Sequence, residues 1–166
     1  MNSLNIFTDG STLNNQTKGD RRGGIGVFFG DEDERNISIS LQETEDNKVT
    51  NQVTELLACI KAIEKVMSTS KVYNSIVIYT DSMYIVNMLK LWAVNWEKKN
   101  WVKSDGNEVS NLELVKKLYY YSKNLDIEYR HVRSHTKEPN KSDPNYHIWY
   151  GNMQADKLAV EAASKL

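Results

Sequence analysis

Along the chain the apolar positions mark out three strands before a helical period sets in. Leu4–Thr8, Gly24–Phe29 and Asn36–Leu41 read as strands, and the acidic run Asp31-Glu32-Asp33-Glu34 marks the turn between the last two. Val53, Leu56, Leu57, Ile60, Ile63 and Met67 then recur at three- and four-residue spacing, which predicts a helix over Asn51–Met67. Ser75–Thr80 is an apolar run of the buried-strand type. Ser82–Trp96 reads as a helix with a break near Trp92, and Leu114, Val115, Leu118, Tyr121 and Leu125 form another helical face. Ile127–Val132 alternates as a fifth strand. Glu138–Tyr146, polar and containing Pro139 and Pro144, reads as a loop. Gly151–Leu166 reads as a terminal helix with Leu158, Ala159, Ala162 and Leu166 on one face. A hairpin start followed by β/α alternation predicts an α/β fold, a mixed sheet with helices packed on its faces.

The 166 residues fit one domain spanning 1–166, long enough to bury a core without disulfides. The one cysteine, Cys59, can form neither an internal disulfide nor a cysteine zinc site. A net charge of −1 argues, taken alone, against a nucleic-acid partner. The distribution reverses that inference. Lys90–Lys137 holds ten basic and six acidic residues, whereas seven acidic residues fall within Asp31–Asp46. Met1–Asp9 lacks the pattern of a signal peptide, and no apolar run approaches membrane-spanning length. The expectation is a cytoplasmic chain that is not secreted, with the nucleus or a viral replication site as alternatives. The N-x-S/T triplets at Asn15, Asn36 and Asn140 then read as chance.

Four acidic residues stand at element ends. Asp9 closes the first strand, Asp81 closes the fourth, Glu55 lies about one turn into the long helix, and Asp156 lies in the first turns of the terminal helix. If the first and fourth strands are neighbours, Asp9 and Asp81 project side by side from adjacent strand ends, where open α/β sheets form sites. Clustered carboxylates cannot all ionise without a positive partner. A hard divalent cation such as Mg²⁺ suits them, and two ions roughly 3.5–4 Å apart clamp an in-line phosphoryl displacement. Each residue also has an ordinary explanation. An acid early in a helix complements the macrodipole, and Asp before Gly or Ser is common in turns.

The set of motifs is more specific than any member. Asp9-Gly10-Ser11, Thr50-Asn51-Gln52 with Glu55-Leu56-Leu57-Ala58, Tyr79-Thr80-Asp81-Ser82-Met83-Tyr84, Trp96 with Trp101, His131-Val-Arg-Ser-His135, and Gly151-Asn152 with Ala155-Asp156 and Leu158-Ala159 together resemble the type 1 ribonuclease H family. They occur in the family's order over essentially the whole chain. The resemblance implies a five-stranded mixed sheet of the ribonuclease H-like fold, its first three strands antiparallel. It also implies an endonuclease that hydrolyses the RNA strand of RNA/DNA hybrids with two Mg²⁺ ions, Mn²⁺ being a possible substitute, and leaves 5′-phosphate and 3′-hydroxyl ends.

Placed residue by residue, the resemblance assigns Asp9, Glu55, Asp81 and Asp156 as metal-binding carboxylates. Asp9 would bridge the ions, Glu55 and Asp81 would hold one, and Asp156 the other. His135 matches the mobile histidine of proton transfer and product release. Asn51 and Gln52 match readers of the hybrid's minor groove, where 2′-hydroxyls mark the RNA strand. Ser11, Thr12, Asn14 and Asn15 resemble the adjoining substrate loop. Thr50 and Asn111 match a pocket for a DNA-strand phosphate, with Lys48 standing where relatives carry an arginine. Tyr84, Trp92 and Trp96 resemble an aromatic channel beside the DNA backbone, although the i, i+4 spacing of the two tryptophans equally fits core positions. His131 reads as a residue within a strand that either packs or supports a site residue from behind, and Trp96–Lys103 resembles the family's basic handle.

One departure stands out. Twenty residues separate His135 from Asp156, more than in many relatives. The surplus, residues 138–150, reads as an inserted loop, a lid or an inert surface excursion. The chain is expected to act as a monomer. Two rival functions remain, another nuclease on the same fold (an integrase, resolvase or exonuclease) and a non-catalytic hybrid-binding module. A domain excised from a reverse transcriptase polyprotein is a third possible origin.

Overall fold

The computed structural model describes residues 2–13 and 20–165, so the loop candidates Asn14 and Asn15 lie outside the described residues. Five strands, β1 (Ser3–Leu13), β2 (Arg22–Phe28), β3 (Ile37–Gln42), β4 (Ser75–Thr80) and β5 (Ile127–His131), form one sheet in the order β3-β2-β1-β4-β5. The β1–β2 and β2–β3 pairs are antiparallel, and β1–β4 and β4–β5 are parallel. This is the mixed sheet expected from the sequence.

β1 runs five residues past the expected Thr8. Its parallel ladder with β4 ends at Thr8 opposite Thr80, but its antiparallel pairing with β2 continues to Leu13, with Asp9 opposite Gly26. Asp9 is therefore not at a strand end. It stands with Asp81 where β1 and β4 part.

Helices cover both faces. On one lie α1 (Asn51–Met67) and α4 (Leu112–Leu125). Leu56, Ile60, Ile63 and Leu118 pack there with Ile6, Ile25 and Ile78, all essentially without solvent contact. Each such burial stabilises by about 1.5–3 kcal/mol. On the other face, α5 (Tyr146–Ser164) packs on Phe7, Phe28, Val77, Tyr79 and Val132.

The approach of α5 to β2 is unusually close, because Gly24 and Gly26 present no side chains to it. A Cβ on Gly26 would overlap the Ala155 carbonyl oxygen and lie 2.7 Å from the Ala159 nitrogen, and one on Gly24 would lie 2.5 Å from the Ala163 nitrogen. The helix answers with Ala155, Ala159, Ala162 and Ala163, all fully buried. From β3 the Ser38 and Ser40 hydroxyls donate to the Leu158 and Ala162 carbonyls at 2.8 and 2.6 Å.

Two further features differ from the sequence reading. The expected break near Trp92 is a widened turn instead. α2 (Met83–Asn87) passes through a π-helical turn, Met88–Trp92, into α3 (Ala93–Lys98), with the Ala93 N–H donating to the Met88 carbonyl. Buried Met88 and Ala93 hold both sides of the turn to the core, while Leu91 and Trp92 stay exposed.

The terminal helix begins at Tyr146, not Gly151, so the second part of the 138–150 segment is helical rather than loop. Pro144 does not oppose this, because proline is tolerated at helix starts. Below it the Tyr146 N–H donates to the Asp143 carbonyl and the Asn145 N–H to Asp143 Oδ1. Gly151 is no breaker either. Its missing side chain makes room for the Phe7 ring, which a Cβ would strike.

Candidate active site

The parting of β1 and β4 gathers the acidic residues. One carboxylate oxygen from each of Asp9, Glu55 and Asp81 lies within 4.8 Å of the others. Asp9 is delivered by β1, Asp81 by the residue after β4, and Glu55 by the second turn of α1. Glu55 comes close because Gly10 lies directly against α1 at Thr54. Asp156 arrives from α5 at the wall of the same cleft. With Ser11, Thr12, Asn51, His135 and Val160 these residues line an open cleft of about 440 Å³.

Caps place two of these elements. Thr50 Oγ1 accepts the Val53 N–H at the start of α1, and Ser82 Oγ, next to Asp81, accepts the Ile85 N–H at the start of α2, each at 3.2 Å. Asp156 is the eleventh residue of its helix rather than an early one, about 15 Å from the amino-terminal end at 1.5 Å per residue. The macrodipole accordingly does not account for it, since that effect fades within a turn.

The electrostatics show the strain of this gathering. Burial first, then the charges of Glu55 and Asp81 and the hydrogen bond with Asp156, push Asp9 up to about 10. Glu55 is held well above the usual carboxylate range by burial, then by the charge of Asp81 and a hydrogen bond to it, against a stabilising Gly10 N–H. Glu55 Oε1 is buried without a hydrogen-bond partner among the described residues. Carboxylate oxygens alone, one of them buried and unsatisfied, form a donor set that fits a hard divalent cation.

The remaining candidates fall into separate groups. Thr12, which lies within β1 rather than in the expected loop, donates its Oγ1–H to Asn51 Oδ1, so the far end of β1 and the start of α1 meet at the cleft. Asn51 and Gln52 are exposed. Lys48 and Asn111 line a different cavity, of about 640 Å³, together with Glu45, Asp46 and Glu113. Thr50 is not part of that wall and serves as the α1 cap. Asn111 has a left-handed backbone, φ 56°, which asparagine tolerates.

Tyr84, Trp92 and Trp96 form one aromatic row, with ring centroids 6.1 and 6.0 Å apart. Tyr84 and Trp96 lean on the core, and Trp92 is open to solvent. His131 is exposed, which argues against the packing alternative of its reading. Its strand, β5, lies at the sheet edge.

Sequence reasoning missed the wall beside His135. Trp149, Asn152 and Met153 line a second cavity, of about 360 Å³, with His135 and Asp156. Together with Val160 they recur at three- and four-residue spacing up to and past Asp156, the signature of one helix face. Placing the helix start at Gly151 hid that stripe.

A mixed sheet with a carboxylate cluster at the end of its parallel ladder defines a class of α/β protein with a candidate metal centre. Within that class the chain belongs to the RNase H family, whose model matches residues 1–164. Ribonuclease H1 of Homo sapiens is 34% identical over 160 residues, covering 96% of this chain and 50% of the relative. Ribonuclease H of Pseudoalteromonas atlantica is 32% identical over 165 residues, covering 99% and 92%. The chain thus spans about half the length of the human relative and nearly all of the bacterial one. The crystal structure of LC9-RNase H1, a type 1 RNase H with the type 2 active-site motif, superposes with a TM-score of 0.74 at 24% identity, covering 98% of this chain and 72% of that one. LC11-RNase H1, solved in complex with an RNA/DNA hybrid, gives a TM-score of 0.60 at 21% identity, covering 98% and 97%. Among the described residues no helix is long and apolar enough to cross a membrane.

Proposed function

We propose that this chain is a divalent-metal-dependent endonuclease that hydrolyses the RNA strand of RNA/DNA hybrids, leaving 5′-phosphate and 3′-hydroxyl ends. The observation that carries the reading is the group of three carboxylates with oxygens within 4.8 Å of one another, on a sheet of the RNase H family. Asp9, Glu55, Asp81 and Asp156 would hold two Mg²⁺ ions. Bound there, the ions supply charge neutralisation and Lewis-acid polarisation of a phosphodiester.

The chain's own residues do the rest. Asn51, Gln52 and Thr12 offer amide and hydroxyl groups suited to 2′-hydroxyls of the RNA strand. The exposed edge of the Tyr84–Trp92–Trp96 row suits a deoxyribose face, where an added hydroxyl would be left unpaired. His135, at the cleft wall, carries a proton on its imidazole to the leaving 3′-oxygen and helps product depart. Lys48 and Asn111 hold a phosphate of the DNA strand, with Thr50 capping α1 beside their cavity, and the chain works as a monomer.

The test is a cleavage panel of hybrid, duplex RNA, duplex DNA and single strands with Mg²⁺, and again with EDTA. Metal-dependent cutting of the RNA strand of the hybrid alone is expected. Cutting of duplex DNA would favour a different nuclease on this fold, and binding without cutting would favour a hybrid-binding module.

A further inference from the structure

The segment between His135 and Asp156 ends in a helical turn fixed to the sheet. The Tyr150 ring meets Phe28 edge-on at 6.0 Å between centroids, and its hydroxyl donates to Asp31 Oδ1 at 2.6 Å. Ile148 joins the same apolar cluster, and Gly151 lies directly on Phe7. From this turn Trp149 reaches the loop that carries His135. Its indole Nε1–H donates to the Thr136 carbonyl at 3.2 Å, and its ring rests against Tyr146, 5.6 Å between centroids.

The loop needs such a tie. His135 has a left-handed backbone, φ 54°, an uncommon conformation that surrounding contacts help to hold. His135 forms the wall between the carboxylate cleft and the cavity lined by Trp149, Asn152 and Met153. A loop that released Thr136 would carry the imidazole away from the cleft.

We propose that Trp149 is a positioning residue, which ties the His135 loop to the first turn of α5 and thereby keeps His135 at the carboxylate cleft. This rests on the hybrid-cleavage reading and on the role of His135 within it. A tryptophan suits the task. It brings one directed N–H and a broad, stiff contact surface on two rotatable bonds, so little entropy is lost on fixing it. The 138–150 segment then has a defined role, with its helical end supporting the site rather than covering it.

Trp149→Phe keeps an aromatic ring at this place while removing the indole donor and part of its contact surface. One neutral hydrogen bond corresponds to about a threefold to tenfold change in an equilibrium or rate. Wild type, Trp149→Phe, His135→Ala and the double variant are compared on hybrid with Mg²⁺. In parallel, amide exchange over residues 133–137 is followed in the metal-free proteins. Trp149→Phe is expected to lower kcat about threefold to tenfold with KM unchanged, to have no further effect once His135 is alanine, and to speed exchange in the loop by a similar factor. An unchanged kcat, or an equal loss with and without His135, overturns the proposal, because general destabilisation lowers both. Absence of hybrid cleavage by the wild type refutes the function itself. In that case the exchange measurement still decides the tie, and unaltered exchange overturns it.

Discussion

Asp9→Asn should stabilise the metal-free protein while removing its activity. The structure holds the Asp9 carboxyl at about 10, against an ordinary value near 3.8, because it is buried among other carboxylates. A folded-state value above the unfolded one contributes stability that is fully present below pH 3.8 and is lost as pH rises toward 10. At pH 7 the unfolded aspartate is ionised and the folded one is protonated. The gap of about 3 units costs the folded state about 4 kcal/mol at 1.36 kcal/mol per unit. Asparagine has nearly the same shape as the protonated acid and no charge to regain on unfolding. The variant should therefore unfold about 8–16 °C higher at pH 7 in EDTA, using about 2–4 °C per kcal/mol for a domain of this size. The difference should shrink toward zero near pH 4. Thermal melts followed by circular dichroism from pH 4 to 8 in EDTA measure this directly. Excess Mg²⁺ should then raise the wild-type melt more than the variant's, since the carboxylates gain a partner only when ionised. A variant no more stable than wild type at pH 7 in EDTA would refute the reasoning.

Further expectations follow from single contacts. Glu55→Gln should abolish Mg²⁺-dependent cleavage of hybrid while leaving the EDTA melt unchanged or higher, read by gel cleavage assay and calorimetry on one preparation. Gly26→Ala should destabilise by about 1–3 kcal/mol by overpacking, seen as a lower denaturation midpoint with an unaltered slope. Asn51→Ala removes a group at the cleft whose Oδ1 accepts from Thr12 Oγ1. It should weaken discrimination of hybrid from duplex DNA in a competition-binding titration, and undiminished discrimination would dismiss Asn51 as a reader of the RNA strand.

Legibility in the sequence followed the physical range of each signal. Strands and helices with long periodic faces, such as Asn51–Met67 and Ser75–Thr80, could be read from spacing alone, because their burial pattern is written into consecutive residues. So could the carboxylates, once the motif order pointed to a family. The extension of β1 to Leu13 could not, since its pairing with β2 depends on residues across the sheet. Nor could the start of α5. Pro144 and Gly151 carry loop signals locally, and only the Phe7 ring under Gly151 explains why a helix passes there. Lys48 and Asn111 were grouped with Thr50 by motif, yet the fold puts Thr50 to work as a helix cap at the edge of their cavity. A break near Trp92 was legible, but not that it would be a π-helical turn that keeps the helix running.

Gly26 sits opposite Asp9 in the sheet, and the Ala155 carbonyl rests where its side chain would be. Asp156 is the next residue along that helix. The spacing between the two carboxylates is thus set by a shim of zero thickness, the absence of a side chain on the strand beside them. Drift at this glycine would widen the gap without touching any acidic residue, so an inactive descendant could keep every carboxylate intact. Activity in a relative is better judged from what lies opposite the first aspartate than from the acidic residues alone.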